Sequence, residues 1–266
     1  MTPGREIVLD ELPVAVREVL AGAELLPRRV GTRDVRHDLA FWPDGRRLHL
    51  DTAVAGSTVG ADLLRDEGDR LAWFAGRLPV AEVVAMAPGV LVTAPPAGSP
   101  GTEMVHHVEV EALIRAFAHS LRRIHELPID DCPFPRGVDD ELAAAATRVE
   151  RGSIDTSRLA PAYQRYAPSR LHELLVASRP PGDEDPVVVH GSYGLGAIHL
   201  EHGAVTGYLD LGRAGVADRY VDLAVAAREL AATISPEALG PFFVEYGIDY
   251  PDLRKVDFYV LLDELR

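Results

Sequence analysis

The sequence predicts an α+β protein of two lobes, a small β-rich lobe followed by a larger helical lobe. Three observations support this prediction: apolar residues alternate in the first hundred residues, proline and glycine cluster at 95–101, and long helical patterns follow. We therefore expect lobes at 1–94 and 102–266, joined by a hinge at 95–101. The chain has 266 residues, of which 47% are hydrophobic, and this is enough for a full core.

The first lobe is predicted to be mostly β-structure interrupted by one helix. Alternation in RRLHLDTAV (46–54) predicts a strand, and AEVVAMA and GVLVTAP on either side of Pro88 and Gly89 predict a hairpin. The segment 57–78 predicts a helix with an apolar stripe formed by Leu63, Leu64, Leu71 and Phe74. Its charged residues are expected largely on the other side: Asp66, Glu67, Asp69 and Arg70.

The second lobe begins with a long amphipathic helix predicted at 106–127, which Pro128 ends. Its apolar stripe consists of Leu113, Phe117, Leu121 and Ile124. Further helices are predicted at 138–152 and 168–178, then strands at 186–191, 197–203 and 204–212, with a tight turn at His202 and Gly203. Helices near 219–233, 236–247 and 251–265 close the chain.

Composition restricts the partners and the chemistry. A net charge of −14 argues against nucleic acid or anionic lipid as the main partner and favours a cationic small molecule. No apolar run is long enough for a signal peptide or a membrane span, so we expect a cytoplasmic protein. The single cysteine, Cys132, excludes an internal disulfide and a multi-cysteine metal site. Lys255 is the only lysine, so a mechanism cannot use a lysine earlier in the chain.

Several motifs in fixed order resemble the aminoglycoside 3'-phosphotransferase family. They are LRRIHELPIDDCPF, the HG pair at 190–191, GYLDLGRAGVADRYVDLAVAAREL and DFYVLLDELR, and the resemblance runs from about Asp62 to Arg266. It implies a protein-kinase-like fold, a magnesium-bound ATP cofactor and a small-molecule substrate. Activity is a separate question, because one fold carries many functions.

The resemblance also assigns roles to positions, and three of these positions carry other residues. Ser192 stands where the family has the aspartate that accepts the substrate proton, and Ala197 stands where it has a metal-binding asparagine. Asp51 occupies the place of the phosphate-anchoring lysine. Glu67, the expected partner of that lysine, and Asp210, the metal-binding aspartate, are retained. Phosphoryl transfer depends on positioning and charge neutralisation, so these losses make nucleotide use doubtful.

Other residues offer replacements for the missing groups. Positive charge is available at Arg36, Arg46 or Arg47, and a base at His190 or His199. We interpret His190 as a brace of its loop. His199 either lies on the same face of its strand as Ala197 or is an exposed strand residue. Asp210 is either a metal ligand or a buried residue that caps backbone amides. The segment VGTRDVRHD (30–38) lies where a nucleotide-covering turn is expected, but it carries bulky charges.

The substrate side of the resemblance is also altered. The family's acidic loop corresponds to SRLAPAY (157–163), which has no acid, and Ala232 replaces an acid on the late helix. The last residue is a cation where the family has an aromatic residue. The resemblance assigns substrate contacts to Arg213, Arg228, Glu229, Asp263, Glu264 and Arg266 with its terminal carboxylate.

Three hypotheses follow from these residues. The first is a pseudokinase or repurposed member that binds a small molecule in the cleft between the lobes, with Ser192, His199 or Asp210 available for acid-base chemistry. The second is an active ATP-dependent phosphotransferase with a rebuilt site. The third is a scaffold that binds a partner protein.

Overall fold

A computed structural model describes residues 11–27, 34–182 and 184–266. Contacts group the chain into two compact units: the first extends to Ala97 and includes Gly207–Gly212, and the second comprises Gly98–Thr206 and Arg213–Arg266. The segment Gly207–Gly212 was predicted with the helical lobe. It joins the first unit because the backbone N–H of Tyr208 donates to the Pro79 carbonyl, while the Tyr208 carbonyl accepts from the N–H of Ala81.

An antiparallel sheet forms the centre of the first unit. The strands are β1 (Glu24–Pro27), β2 (Val35–Phe41), β3 (Arg47–Ala53), β4 (Glu82–Ala87) and β5 (Val90–Ala94), in the order β1-β2-β3-β5-β4. This confirms the predicted strand at 46–54 and the hairpin at Pro88 and Gly89. Of the segment 30–38, residues 30–33 lie outside the described residues, and 35–38 belong to β2.

Among the described residues, two helices accompany this sheet, although the sequence predicted only one. The additional helix α1 (Val14–Val19) buries Val16 in a core with Leu48, Leu50 and other apolar residues of the sheet. The predicted helix is α2 (Thr58–Phe74), and Ser57 caps it by accepting from the N–H of Gly60. Two details of its predicted faces were wrong, because Leu63 is exposed and Glu67 points inward.

The second unit contains most of the helices. They are α3 (Gly101–Met104), α4 (Val110–His125), α5 (Val138–Glu150), α6 (Pro168–Ala177), α7 (Tyr220–Thr233), α8 (Leu239–Tyr246) and α9 (Leu253–Glu264). The long helix begins at Val110 rather than at 106, because α3 and a turn occupy the preceding residues. Its predicted stripe is correct: Leu113, Phe117, Leu121 and Ile124 are fully buried.

Short strands follow α6. They are β7 (Pro186–Val189), β8 (Ile198–Glu201), β9 (Ala204–Tyr208) and β10 (Gly215–Asp218), and β6 (Ser99–Pro100) pairs with β8. β7 pairs antiparallel with β10, and β8 lies beside β9. The turn at His202 and Gly203 has φ of 51° and 78°, as expected for a two-residue hairpin. The loop at 190–197 therefore lies between two strands, β7 and β8.

Candidate functional site

In the first unit, Asp51 is held by a histidine on the neighbouring strand. His37 in β2 lies directly opposite Asp51 in β3, and its Nδ1 is 2.6 Å from the Asp51 Oδ1. The carboxylate occupies the position that the resemblance assigns to a phosphate-anchoring lysine. The sequence did not reveal His37 as a partner, because the cross-strand register is set by pairing and not by spacing along the chain.

Asp51 and Asp210 each lie close enough to Glu67 for their charges to act on its carboxyl group. We call these three residues, Asp51, Glu67 and Asp210, the acidic cluster. Burial, together with the charges of Asp210 and Asp51, raises the pKa of Glu67 to about 8, and the charge of Arg70 opposes this shift. A β-carbon at Gly212 would lie 3.6 Å from Glu67 Oε2, so the segment after Asp210 passes close to this carboxyl group. Asp210 is exposed and has φ of 55°, which is uncommon for a residue other than glycine.

This geometry corrects one interpretation of Asp210 and bears on the other. Because its side chain is exposed, Asp210 is not the buried cap that the sequence offered as an alternative. Magnesium takes several oxygen ligands, and the side chain of Ala197 offers none. Across the part of the chain that the structure describes, no group of three or more His, Cys, Asp or Glu side chains could hold a metal ion. Ala197 therefore does not fit the magnesium ligand that the resemblance implies at its position, whereas Asp210 keeps its carboxylate.

The arginines considered as replacement cations are engaged in other contacts. Arg36 forms two hydrogen bonds with the buried Asp38, each of 2.8 Å. The guanidinium of Arg46 stacks on Trp42, 3.6 Å from the ring centroid. Arg47 is exposed at the start of β3. A phosphate held by Arg36 or Arg46 would have to compete with these contacts.

In the second unit, Asp222 of α7 fixes the start of the 190–197 loop. Its carboxylate accepts from the backbone N–H groups of His190 and Gly191 at 2.6 and 2.8 Å, and it lies 3.1 Å from His125 Nε2. Burial opposes ionisation here, but the contact with His125 and the loop N–H groups prevail and lower the pKa of Asp222. Asp222 is therefore a structural support of the loop.

Neighbouring side chains hold the same loop from the core. His190 is fully buried, and its ring packs edge-on against Tyr193 with centroids 5.7 Å apart. Tyr193 stacks on Phe117 of α4 and its hydroxyl donates to the Phe117 carbonyl at 2.9 Å. These contacts agree with the interpretation of His190 as a brace.

The three other candidate positions of this region differ in exposure. Ser192 is half-buried, whereas Ala197 is buried in a short 3-10 turn at 195–197. His199 is 8% exposed and lies opposite Pro100 of β6, so the expectation of an exposed strand histidine was wrong. The alternation argument that placed His199 on the face of Ala197 also fails, because Ala197 precedes the strand.

The residues assigned to substrate contacts fall into two groups. Arg228 of α7 donates to Asp263 at 2.5 Å and to Glu264 at 3.1 Å, so the first group is an ion-paired set between α7 and α9. Glu229 accepts from the N–H of Leu195 at 3.0 Å, and burial raises its pKa. Glu229 thus lies against the 190–197 loop. The second group contains Arg213 and Arg266.

Arg266 connects α9 to the start of this loop. Its Nη1 donates to the Gly191 carbonyl at 3.0 Å, and its Nε donates to Glu141 of α5 at 3.2 Å. Gly191 has φ of 86°, and a β-carbon there would lie 2.0 Å from the Arg213 carbonyl oxygen, so only glycine fits. The sequence analysis missed Glu141, because it lies 125 residues from Arg266.

Comparison with known proteins agrees with these features. Residues 56–259 match the phosphotransferase enzyme family. The chain is 33% identical to an aminoglycoside 3'-phosphotransferase of Niallia circulans over 76% of this chain and 78% of that protein. It is 36% identical to a streptomycin 3''-kinase of Streptomyces griseus over 76% and 79% of the two chains. The chain therefore belongs to the phosphotransferase enzyme family.

Solved structures support the same fold. The crystal structure of an aminoglycoside-3'-phosphotransferase of type VIII is 32% identical and superposes with a TM-score of 0.80 over 95% of this chain and 98% of that chain. A Streptomyces rimosus aminoglycoside phosphotransferase in complex with ADP and streptomycin is 26% identical, with a TM-score of 0.76 over 94% and 96%. The predicted kinase-like α+β fold is confirmed. In the described residues, no helix is both long and apolar enough to cross a bilayer.

Proposed function

We propose that this family member binds a small molecule without transferring phosphate from a magnesium-bound nucleotide. The observation that carries the proposal is the Asp51 carboxylate, which His37 holds at 2.6 Å in the place of the phosphate-anchoring lysine. At an effective dielectric constant of about 20, two like charges 4 Å apart repel by about 4 kcal/mol. A triphosphate near Asp51 would meet this repulsion instead of a cation.

The positions implied for proton transfer and metal binding support the same proposal. Proton abstraction by a positioned base contributes roughly 10²–10⁴ in rate, and the Ser192 hydroxyl needs a base of its own to act in this way. His190 is buried against Tyr193, and His199 is buried opposite Pro100. Ala197 supplies no metal ligand. Each contribution that phosphoryl transfer requires is therefore weakened by a different residue.

An active phosphotransferase remains the alternative, and one observation favours it. Asp210 keeps an uncommon backbone conformation directly after Leu209, and Glu67 is retained beside it. Residues in sparsely populated conformations often lie at functional sites. This alternative requires the protein to bind nucleotide with the acidic cluster in place.

Calorimetric titration of the purified protein with ATP and with GTP, each with excess magnesium, separates the two proposals. We expect no binding below millimolar concentration, and no ADP or GDP release with streptomycin or kanamycin present. The aminoglycoside 3'-phosphotransferase of Niallia circulans, assayed in the same way, serves as the positive control. Sub-millimolar binding followed by substrate-dependent release of the nucleoside diphosphate would establish the active phosphotransferase instead.

A further inference from the structure

Four arginines from separate parts of the second unit converge on one location. We call them the arginine cluster: Arg136, Arg148, Arg213 and Arg266. Two carboxylates, Glu141 and Asp263, supply the negative charge that acts on them. Asp263 also accepts from Arg228 at 2.5 Å, so it is shared with a fifth arginine. Cationic groups therefore outnumber these carboxylates, in a chain whose net charge is −14.

Hydrogen bonds fix one guanidinium of the cluster almost completely. The Arg266 side chain is 3% exposed, and it donates from Nε to Glu141 and from Nη1 to the Gly191 carbonyl. Its Nη2 is buried and has no hydrogen-bond partner within the described residues. Nη1 of Arg148 is also buried and has no hydrogen-bond partner within the described residues. Buried donors without acceptors are costly and uncommon in native proteins, and those at functional sites often await a ligand or an ion.

The pKa directions of the cluster residues are consistent with an excess of positive charge around them. Partial burial and the charge of Arg266 lower the pKa of Arg213, although Asp263 opposes this. Burial also lowers the pKa of Arg148, against the attraction of Glu141. Glu141 responds in the opposite direction: burial opposes its ionisation, but the surrounding arginines hold its pKa below the usual range. An additional negative charge would relieve the repulsion among the arginines.

Arg213 is the residue of the arginine cluster through which an anion from solvent could be bound. Its side chain is 41% exposed, and its Nη1 lies 3.9 Å from Asp263, beyond hydrogen-bonding distance. Its backbone is fixed, because the Arg213 carbonyl packs against Gly191 with no space for a β-carbon. A guanidinium on a fixed backbone offers a planar pair of donors that matches a carboxylate or phosphate group.

We infer that the arginine cluster is a binding site for the carboxylate or phosphate group of an anionic small molecule, with Arg213 as the solvent-facing donor. The charge of this site is opposite to the one that a polycationic sugar would need. The inference does not depend on whether the protein transfers phosphate, because the residues concerned lie outside the acidic cluster of the first unit. Ser192 follows Gly191 directly, so the bound anion would lie near the 190–197 loop.

Binding of inorganic phosphate and of acetate, without nucleotide or magnesium, tests the inference. Each anion is titrated at pH 7 and constant ionic strength, with chloride as the reference, while thermal unfolding and heat of binding are measured. We expect phosphate or acetate to raise the melting temperature above that in chloride, and the preferred anion identifies the class of ligand. Equal melting temperatures in all three salts would overturn the inference.

Two variants and one control locate the binding. Arg213→Gln should weaken the preferred anion at least tenfold, and Arg213→Lys should recover part of the loss because it restores the charge without the fork. Arg170→Gln is the matched control, since Arg170 is an exposed arginine of α6 that pairs with nearby Glu173. Unchanged affinity in Arg213→Gln, or an equal loss in Arg170→Gln, would contradict the assignment.

A measurement on the parent protein keeps the test independent of how the variants fold. In nitrogen-15 spectra of the arginine side chains, the Nε–H signals of Arg213 and Arg266 should shift during the titration, with the same midpoint as the heat of binding. The Arg170 signal should not. Shifts spread evenly over the surface arginines would show nonspecific ion binding and would sink the proposal.

Discussion

The acidic cluster of the first unit and the arginine cluster of the second unit have opposite charges, and both include residues to which the family resemblance assigns a role. In the acidic cluster, Asp51 and Asp210 both act on the buried carboxyl group of Glu67. In the arginine cluster, four guanidinium groups act on the carboxylate of Glu141. One fold can thus keep its core while the residue at a single position, here Asp51, differs in charge from the one that the resemblance implies.

The two clusters also differ in how their charges are compensated. The acidic cluster contains one carboxyl group with a strongly raised pKa, so it lowers its repulsion by retaining a proton. Arginine does not lose its proton in this way, and the arginine cluster depends on Glu141 and Asp263 for neutralisation. Removing one carboxylate should therefore have opposite effects in the two units.

The largest expected effect is in the arginine cluster. Glu141→Gln removes the carboxylate that accepts from Arg136 and Arg266, and buried ion pairs that lose one partner typically cost about 3–5 kcal/mol of stability. Glu173→Gln on the exposed face of α6 is the control and should change stability by less than about 0.5 kcal/mol. The free energy of unfolding in urea measures both. Similar values for the two variants would mean that Glu141 does not neutralise the cluster.

A pH series adds a second measurement to this comparison. The pKa of Glu141 is lower in the folded protein than in the unfolded chain, so its stabilising contribution is present above the ordinary glutamate value of 4.5. The contribution is lost as pH falls through the folded value. Glu141→Gln should therefore lose the part of the acid-side slope that belongs to this residue, whereas Glu173→Gln should keep the slope of the parent.

Replacing one carboxylate of the acidic cluster by a cation should produce the next largest effect. The triple variant Asp51→Lys, Ser192→Asp and Ala197→Asn returns the cation, the base and the metal ligand to the positions that the resemblance assigns. We expect magnesium-bound ATP to bind at least a hundredfold more tightly than to the parent, about 2.7 kcal/mol, because the new lysine replaces repulsion by attraction and lies near Glu67. Calorimetry measures the affinity.

The control for the triple variant places the lysine elsewhere on the same unit. Asp62 is an exposed residue of α2, so Asp62→Lys with the same changes at 192 and 197 gives an equal net charge without a cation in the acidic cluster. It should bind nucleotide no better than the parent. If the triple variant folds but still binds no nucleotide, residues other than these three also prevent the nucleotide binding that the resemblance implies.

The sequence predicted the elements more fully than the contacts of the site. The α4 stripe and the β4-β5 hairpin follow from local periodicity and turn residues, so their positions were readable. The pairing of His37 with Asp51 depends on strand register, and the contact of Glu141 with Arg266 joins residues 125 positions apart. His199 was misjudged because β6 is only two residues long and lies in a segment rich in proline. Long-range contacts of this kind leave no periodic signal.

Glu67 tests the acidic cluster through pH. Its pKa is about 8 in the folded protein, against 4.5 as its ordinary value, so between these two values the folded state holds a proton that the unfolded chain has released. Stability should therefore fall as pH rises from 4.5 to 8. Glu67→Gln mimics the protonated carboxyl group, and we expect it to raise the free energy of unfolding by at least about 2 kcal/mol at pH 8 and by less than about 1 kcal/mol at pH 5.

The control for this change lies on the exposed face of the same helix. Asp69→Asn removes a carboxylate of α2 that is exposed, so it should leave the pH dependence of stability unaltered. Urea unfolding at pH 5 and pH 8 provides the four values. A Glu67→Gln variant that is destabilised at both pH values would mean that the carboxyl group makes a favourable contact, and the cluster would then not be repulsive.

The smallest expected effect concerns Ser192, a residue that bears on the proposed function and on the proposed anion site. The loop around it is held by Asp222 through backbone N–H groups and by Arg266 through the Gly191 carbonyl, and none of these contacts uses the Ser192 hydroxyl. Ser192→Ala should change the free energy of unfolding by less than about 0.5 kcal/mol. Tyr193→Phe is the comparison, because the Tyr193 hydroxyl donates to the Phe117 carbonyl and contacts Ser120, and its loss should cost about 1–2 kcal/mol.

Phosphate affinity of Ser192→Ala should equal that of the parent if Arg213 is the solvent-facing donor. A clear loss of affinity with unchanged stability would move the anion contact from Arg213 to the serine of the loop.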